Sequence, residues 1–265
     1  MLTADPASWH YGKTLDPVAL AAQFEHFAAL VAEAGAEILW LPDDDDDLAD
    51  SVFTYDPSFV VGDGAVILRP GKELRRGEAE LHRRFYQGRI PILGAIEAPG
   101  VFEGGDCFWL DAETLAVGRG FRTNQAGIEQ FRAIVAAVGI TVEVFDLPYL
   151  NGPAACLHLL SVVSPLDDDL ALVHAPLMPT ALYQRMEELG YHLLHAPPEE
   201  FEASMGLNLN VLAVAPRRLL TVAGFDGTVD VLRSAGCHVT TFPGDELCLP
   251  CEGGPTCLTR PLLRA

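Results

Sequence analysis

This chain of 265 residues has 37 acidic and 17 basic side chains, a formal net charge of −20. That charge argues against a nucleic acid partner, because phosphate groups would be repelled, and it suits a cationic small molecule. Hydrophobic residues make up 49% of the chain, enough for a substantial buried core. The acidic run Asp43–Asp47 is expected to be a solvated loop.

The chain has no apolar stretch of membrane-spanning length, and its first residues lack the basic and apolar segments of a signal peptide. Its six cysteines are too few for a disulfide scaffold at this length. We therefore expect a cytoplasmic protein with reduced thiols and no membrane contact. The oligomeric state stays open, with a homodimer as one expectation.

A helical stretch that ends in glycine and precedes a short apolar strand recurs five times. The glycines are Gly35, Gly88, Gly139, Gly190 and Gly236, at spacings of 53, 51, 51 and 46 residues. Glycine is the residue that adopts a left-handed conformation without a Cβ clash, so each one predicts the end of a helix.

Two further apolar runs precede each of the last four helices, as in SFVVG (58–62) and GAVILRPG (64–71). The repeating unit is therefore strand, turn, strand, helix, strand. The first helix, near residues 17–34, lacks its preceding strands, and TCLTRPL (256–262) is predicted to supply one. Five units predict an α/β fold, a closed five-bladed αβ propeller in one domain over 1–265. The alternative is an ordinary α/β sheet.

In a ring, the loops after the last strand of each unit should meet at one end. These loops carry Asp50 with Asp56, Glu103 to Asp106, His158, Asn208 and Cys257. A cysteine beside a histidine predicts nucleophilic catalysis, because His deprotonates the thiol and later protonates a leaving group. Carboxylates would attract a cation, and a guanidinium offers N–H donors that match two or three of them.

Each of these residues also has a purely structural interpretation. His158 lies in an apolar run and could be a buried core histidine, and the segment EGGD (103–106) could be a tight turn. In the C-terminal stretch, Cys248 and Cys251 have the spacing of a zinc or redox pair. Both alternatives are disfavoured, because a second ligand pair and a thioredoxin-like context are missing.

Five motifs closely resemble the superfamily of guanidino-group-modifying enzymes, and within it the dimethylarginine dimethylaminohydrolases. The motifs are DSVFTYDPSFV (50–60), FEGGDCFWL (102–110), GRGFRTNQAG (118–127), LHLLS (157–161) and GGPTCLTRPL (253–262). The fold of that superfamily is the five-bladed αβ propeller that the repeats predict independently.

The resemblance implies a mechanism that needs neither a cofactor nor a metal. Cys257 would attack the guanidinium carbon and expel an amine that His158 protonates. Water activated by His158 would then hydrolyse the covalent thiouronium. Glu103 would orient His158 and hold a guanidinium nitrogen.

The resemblance also implies substrate-binding residues. Asp56, together with Asp50, would pair with guanidinium N–H groups, and Phe53 would pack against the guanidinium plane. Asp106 completes the family motif, with a structural role as its alternative. Arg122 would grip the substrate carboxylate.

A second carboxylate-binding arginine is matched by Arg75 or its neighbour Arg76. Two positions depart from related patterns. Leu160 stands where arginine deiminases carry an aspartate, which favours an alkylated guanidinium over free arginine. Tyr55 stands where dimethylarginine hydrolases carry an acidic residue, so the substrate's amino-acid end stays open.

The sequence therefore predicts a cysteine hydrolase that converts an Nω-methylated arginine to citrulline and a methylamine. Arginine deiminase, arginine dihydrolase and amidinotransferase activities are the alternatives among enzymes. A propeller-type binding protein, such as a ribosome anti-association factor, is the alternative from another class. That alternative is disfavoured because the chain carries Cys257, His158 and Glu103.

Overall fold

A computed structural model describes residues 5–9, 11–42, 48–154 and 157–263. The acidic run Asp43–Asp47, for which a solvated loop was expected, lies outside these residues. Among the helices described, none combines the length and the apolar character that crossing a bilayer would need.

Twelve strands among the described residues form four three-stranded sheets with one common pattern. In each sheet the first strand pairs antiparallel with the second, and the second pairs parallel with the third. The sheets consist of β1 (Ser58–Val61), β2 (Gly64–Ile67) and β3 (Ile92–Ala95); β4 (Cys107–Trp109), β5 (Thr114–Arg119) and β6 (Thr141–Asp146); β7 (Val163–Asp167), β8 (Leu170–Val173) and β9 (His192–His195); β10 (Leu212–Ala215), β11 (Arg218–Val222) and β12 (His238–Phe242).

Seven α-helices are described, and four of them connect the second strand of a sheet to the third. The helices are α1 (Pro6–Trp9), α2 (Pro17–Glu33), α3 (Glu78–Tyr86), α4 (Gln125–Ala136), α5 (Thr180–Glu188), α6 (Pro198–Ser204) and α7 (Asp226–Ser234). The connecting helices are α3, α4, α5 and α7. This order confirms the predicted strand, strand, helix, strand unit for the last four repeats.

The five repeat glycines all have positive φ angles, between 77° at Gly88 and 99° at Gly35. Each one follows the end of a helix, as at α2, where the backbone N–H of Gly35 bonds to the carbonyl of Ala32. The prediction of glycine-ended helices is therefore confirmed at every repeat.

The chain divides into two compact units. The first unit contains Met1–Trp40, Ser161–Met178 and Tyr183–Leu258, and the second contains Leu41–Leu160, Pro179–Leu182 and Thr259–Ala265. In the first unit, an apolar cluster includes Leu166, Leu172 and Leu232. In the second unit, Phe102 and Phe131 stack with ring centroids 4.4 Å apart inside another apolar cluster.

The strands predicted for the first repeat, at 36–42 and 256–262, are wrong, because neither segment forms a strand. Near the C-terminus, backbone N–H groups donate to partners outside any strand ladder: Leu258 N–H donates to the Gly254 carbonyl, and Thr256 N–H donates to the side chain of Asn210. Pro261 has no N–H to offer a ladder. Leu41 and Leu262 nevertheless pack against one apolar cluster of the second unit. The closed ring of five units and the single domain stay predictions.

Candidate active site

The second unit brings together three of the residues predicted from the motifs. His158 Nε2 lies 2.6 Å from Glu103 Oε2. Asp56, Glu103 and His158 each offer one polar atom that lies within 4.8 Å of the other two. Gly105 makes this approach possible, because a Cβ there would lie 2.8 Å from the His158 ring. The EGGD segment is therefore a tight turn that also serves the site.

Glu103 is fully buried, and both of its carboxylate oxygens have partners. Oε1 accepts hydrogen bonds from Arg122 Nε (3.1 Å), Arg122 Nη2 (3.0 Å) and the backbone N–H of Gly71 (2.7 Å). Burial alone would raise the pKa of Glu103, but the charges of Arg122 and His158 and the hydrogen bond to His158 outweigh burial. The pKa of Glu103 therefore lies well below its ordinary value, and the residue is a carboxylate at neutral pH.

Asp56 is held by a second buried arginine. Arg75 Nη1 donates to Asp56 Oδ2 (2.7 Å), and the backbone N–H of Gly105 donates to Asp56 Oδ1 (2.9 Å). Burial raises the pKa of Asp56, but the opposing charges of His158 and Arg75 bring it below its ordinary value. Two ionised carboxylates therefore lie beside His158.

Arg75 also pairs with Glu78, a residue that the motifs did not single out. Arg75 Nε lies 3.0 Å from Glu78 Oε1, and Arg75 Nη2 lies 2.9 Å from Glu78 Oε2. Burial raises the pKa of Glu78 to about 7, although the charge of Arg75 opposes this rise. The i,i+3 spacing of Arg75 and Glu78 is the sequence signal that could have revealed the pair.

The other predicted residues of this unit have distinct partners. Asp106 Oδ1 accepts the backbone N–H of Leu159 (2.9 Å), next to His158, and burial raises the pKa of Asp106 to about 6 despite the opposing charge of His158. Asp50 lies 2.8 Å from Lys72 Nζ. Phe53 is buried, and its carbonyl accepts a hydrogen bond from Arg75.

In the first unit, Cys257 has an amide partner that sequence reasoning missed. Asn210 Nδ2 lies 3.1 Å from Cys257 Sγ. The amide that the sequence analysis singled out in this loop, Asn208, makes a different contact. Asn208 is fully buried and donates to Thr228 Oγ1 (3.0 Å) instead. Both amides lie in the segment NLN, so only their contacts distinguish them.

The carboxylates and the imidazole could in principle hold a cation. Among the described residues, Asp56, Glu103 and His158 form the one group of three potential metal ligands, and Cys248 and Cys251 belong to none. Arg75 and Arg122 already compensate the two carboxylates in this arrangement. Guanidinium groups therefore fit this set of oxygens as the structure has it.

Comparison with known proteins also indicates a relation to enzymes that act on guanidino groups. The sequence profile of a family described as arginine deiminase matches residues 45–196. An N(G),N(G)-dimethylarginine dimethylaminohydrolase from Streptomyces coelicolor is 31% identical over 242 residues, which cover 89% of this chain and 83% of the relative. The chain belongs to the arginine deiminase family, in its dimethylarginine dimethylaminohydrolase-like branch.

Two further members of this family resemble the chain over nearly its whole length. An N(G),N(G)-dimethylarginine dimethylaminohydrolase from Pseudomonas aeruginosa is 28% identical over 256 residues, covering 95% of this chain and 91% of the relative. A solved structure of a Pseudomonas aeruginosa dimethylarginine dimethylaminohydrolase variant, complexed with citrulline, superposes with a TM-score of 0.78. It covers 95% of this chain and 93% of the other at 24% identity, which supports the α/β fold.

Tyr55 and Leu160 are the two positions at which this arginine deiminase family member departs from the patterns of related enzymes, and they have different surroundings. The guanidinium of Arg260 lies 3.6 Å from the centroid of the Tyr55 ring and donates to the Tyr55 carbonyl. Tyr55 is therefore engaged with the segment that follows Cys257 in the sequence. Leu160 is half-buried in a 3₁₀ turn.

Arg75 and Arg76 both match the second carboxylate-binding arginine of the family pattern, and the structure shows that their surroundings differ. Arg75 has a buried side chain that pairs with Asp56 and Glu78, so its guanidinium is occupied. The side chain of Arg76 is 36% exposed, and its partner Glu73 is 81% exposed. Arg76 is therefore the better placed of the two to meet a ligand from solvent.

Proposed function

We propose that this chain is a cofactor-free cysteine hydrolase that cleaves a guanidino C–N bond of a substituted arginine. The observation that carries the proposal is the contact between His158 and Glu103, with Asp56 beside them. A proton-transfer group flanked by two buried carboxylates suits a cationic substrate that must also gain and lose protons. Family membership supports the same reaction class.

The first half of the proposed reaction forms a covalent intermediate. The thiolate of Cys257 adds to the guanidinium carbon, and electrons of a C–N π bond move to nitrogen. His158 then gives a ring proton to the departing nitrogen, and that C–N bond breaks. The products are a neutral amine and a thiouronium attached to Cys257.

The second half consumes one water. His158, now neutral, accepts a proton from water while the oxygen adds to the thiouronium carbon. Collapse of the adduct breaks the C–S bond and returns the electron pair to Cys257 as thiolate, and the remaining hydroxyl proton is lost to solvent, which leaves a neutral ureido group. The released amine takes up a proton from solvent, so the sum is guanidinium plus water giving a ureido product plus a protonated amine.

The carboxylates select and orient the cation. Asp56 and Glu103 are ionised at neutral pH, because their pKa values lie below the ordinary range despite burial. Carboxylates accept guanidinium N–H groups in bidentate geometry, which holds the central carbon in a defined place. We assign Arg76 to the substrate carboxylate, because Arg122, which the family motif matches to the same role, already pairs with Glu103. Phe53 and Asp50 complete the proposed guanidinium site.

The substrate that we favour is Nω-methylated arginine, hydrolysed to citrulline and methylamine or dimethylamine. Leu160 offers an apolar side chain where arginine deiminases carry an aspartate, and the relatives from Streptomyces coelicolor and Pseudomonas aeruginosa are dimethylarginine hydrolases. The second candidate is arginine deiminase activity, which the family profile over residues 45–196 favours. The homodimer and the cytoplasmic location also stay predictions.

A substrate panel tests both candidates. The wild-type protein is incubated with arginine, mono- and dimethylarginine, agmatine and guanidinoacetate, and the ureido product and the released amine are measured. Dimethylamine from dimethylarginine, with little ammonia from arginine, is the expected result. A clear preference for arginine would overturn the methylated-arginine assignment in favour of deiminase activity.

The nucleophile is tested in the same assay. Cys257→Ser is expected to abolish turnover, because a serine hydroxyl is far less nucleophilic than a thiolate at neutral pH. Cys248→Ser and Cys251→Ser are the matched controls and should retain turnover. Activity retained in Cys257→Ser would refute the assigned nucleophile.

A further inference from the structure

The side chain of Asn210 connects two parts of the segment that carries Cys257. Its Nδ2 lies 3.1 Å from Cys257 Sγ, and its Oδ1 accepts the backbone N–H of Thr256 at 2.9 Å. One amide therefore contacts both the sulfur and the backbone of the preceding residue. No sequence motif singled out this residue.

The orientation of the amide follows from the chemistry of its two partners. A backbone N–H only donates, so the group that faces Thr256 N must be the carbonyl oxygen of the amide. The NH₂ group then points at the sulfur. A flipped amide would place two donors against each other at Thr256.

The surroundings hold Asn210 in place. The carbonyl of the next residue, Val211, accepts hydrogen bonds from Ser164 Oγ (2.9 Å) and Thr256 Oγ1 (3.3 Å). A Cβ on Gly254 would overlap the Asn210 side chain, so the glycine leaves room for the amide. The amide is therefore placed by contacts on its backbone and its side chain.

We propose that Asn210 is a catalytic residue whose side-chain amide donates a hydrogen bond to the Cys257 sulfur and stabilises it as the thiolate. This inference rests on the proposed role of Cys257 as the nucleophile. Hydrogen bonds to an ionised acceptor are stronger than those to a neutral one, so the contact favours the thiolate over the thiol. It acts twice in the reaction, before the sulfur attacks and when the sulfur leaves.

Cys248, a neighbour of Cys257 in this unit, is also a titratable thiol. Burial raises the pKa of Cys248 well above its ordinary value, and the nearby Cys257 and Cys251 sulfurs act in the same direction. Cys248 is therefore a neutral thiol at physiological pH. A change in the ionisation of Cys257 can be followed without a second thiolate from Cys248.

The test measures thiolate formation directly, without a substrate. Each protein is alkylated with iodoacetamide across a range of pH, and the peptide containing Cys257 is quantified by mass spectrometry. The midpoint of the pH–rate profile is the readout. A rate at one pH is less informative, because a thiol with a higher pKa forms less thiolate but a more nucleophilic one, and the two effects on the rate oppose each other.

Three variants give an ordered expectation. Asn210→Ala removes the donor, and its midpoint should rise by about one pH unit, which is about tenfold less thiolate at neutral pH. Asn210→Asp keeps an acceptor for Thr256 N but places a negative charge at the sulfur, so its midpoint should rise further. Asn208→Ala removes the neighbouring buried amide, and its midpoint should match the wild type.

Thermal unfolding of each variant shows whether it is folded at the assay temperature. An unchanged midpoint in folded Asn210→Asp would overturn the inference. So would a midpoint in Asn208→Ala that rises as much as in Asn210→Ala. If the wild type turns over no compound of the substrate panel, the proposed function fails, while the alkylation midpoints still decide whether Asn210 stabilises the thiolate.

Discussion

Removal of the Arg75 guanidinium, as in Arg75→Met, should strongly destabilise the folded protein. Its side chain is 6% exposed and makes five hydrogen bonds, one to Asp56, three to Glu78 and one to the carbonyl of Phe53. Methionine keeps the apolar stem and removes the charge. Two buried carboxylates would then lose their cation.

The expected loss is about 3–5 kcal/mol of unfolding free energy at pH 8, the usual cost of breaking a buried ion pair from one side. The loss should shrink at lower pH. In the wild type, the pKa of Glu78 is raised to about 7, so its contribution to stability falls as pH rises from about 4.5 to 7. Without Arg75, the pKa values of Glu78 and Asp56 rise further, and protonation relieves more of the penalty at pH 5 than at pH 8.

Urea unfolding at pH 5 and pH 8 measures both effects, with Arg76→Met as the matched control. Arg76 pairs with the exposed Glu73, so its replacement should change stability by no more than about 0.5 kcal/mol. A loss below about 1 kcal/mol for Arg75→Met at pH 8, or an equal loss at both pH values, would refute the reasoning.

Two further substitutions test the cluster that contains Glu103 and His158. Arg122→Leu removes two hydrogen bonds and the main compensating charge from Glu103, so the pKa of Glu103 should rise and the acid limb of the kcat profile should move to higher pH. A change confined to KM would show that Arg122 serves only the substrate carboxylate. Gly105→Ala places a methyl group 2.8 Å from the His158 ring and should lower kcat on the order of 100-fold, since displacement by about 1 Å costs that much. Wild-type kcat in folded Gly105→Ala would contradict the close packing of that ring.

The repeat pattern could be predicted from the sequence because its causes are local. Short apolar runs pack as buried strands, and glycine is favoured where a helix ends in the left-handed region. Each last strand, such as β12, therefore begins soon after its glycine, here Gly236. The grouping of Glu103 with His158 was also predicted from sequence, because both residues lie in loops that follow the last strand of a repeat.

Partner choice was decided by the tertiary structure. Asn208 and Asn210 are two residues apart, and nothing local distinguishes which amide meets Cys257. Arg75 and Arg76 are adjacent, and only their burial shows which one neutralises Asp56.

The segments at 36–42 and 256–262 have strand-like composition but form no ladder. A strand needs a partner that offers matching donors and acceptors, and that is a property of distant residues. The sequence by itself determined the repeating units and the chemical types of the candidate groups. Long-range contacts determined which of those groups meet, because burial and hydrogen bonding depend on residues far apart in the chain.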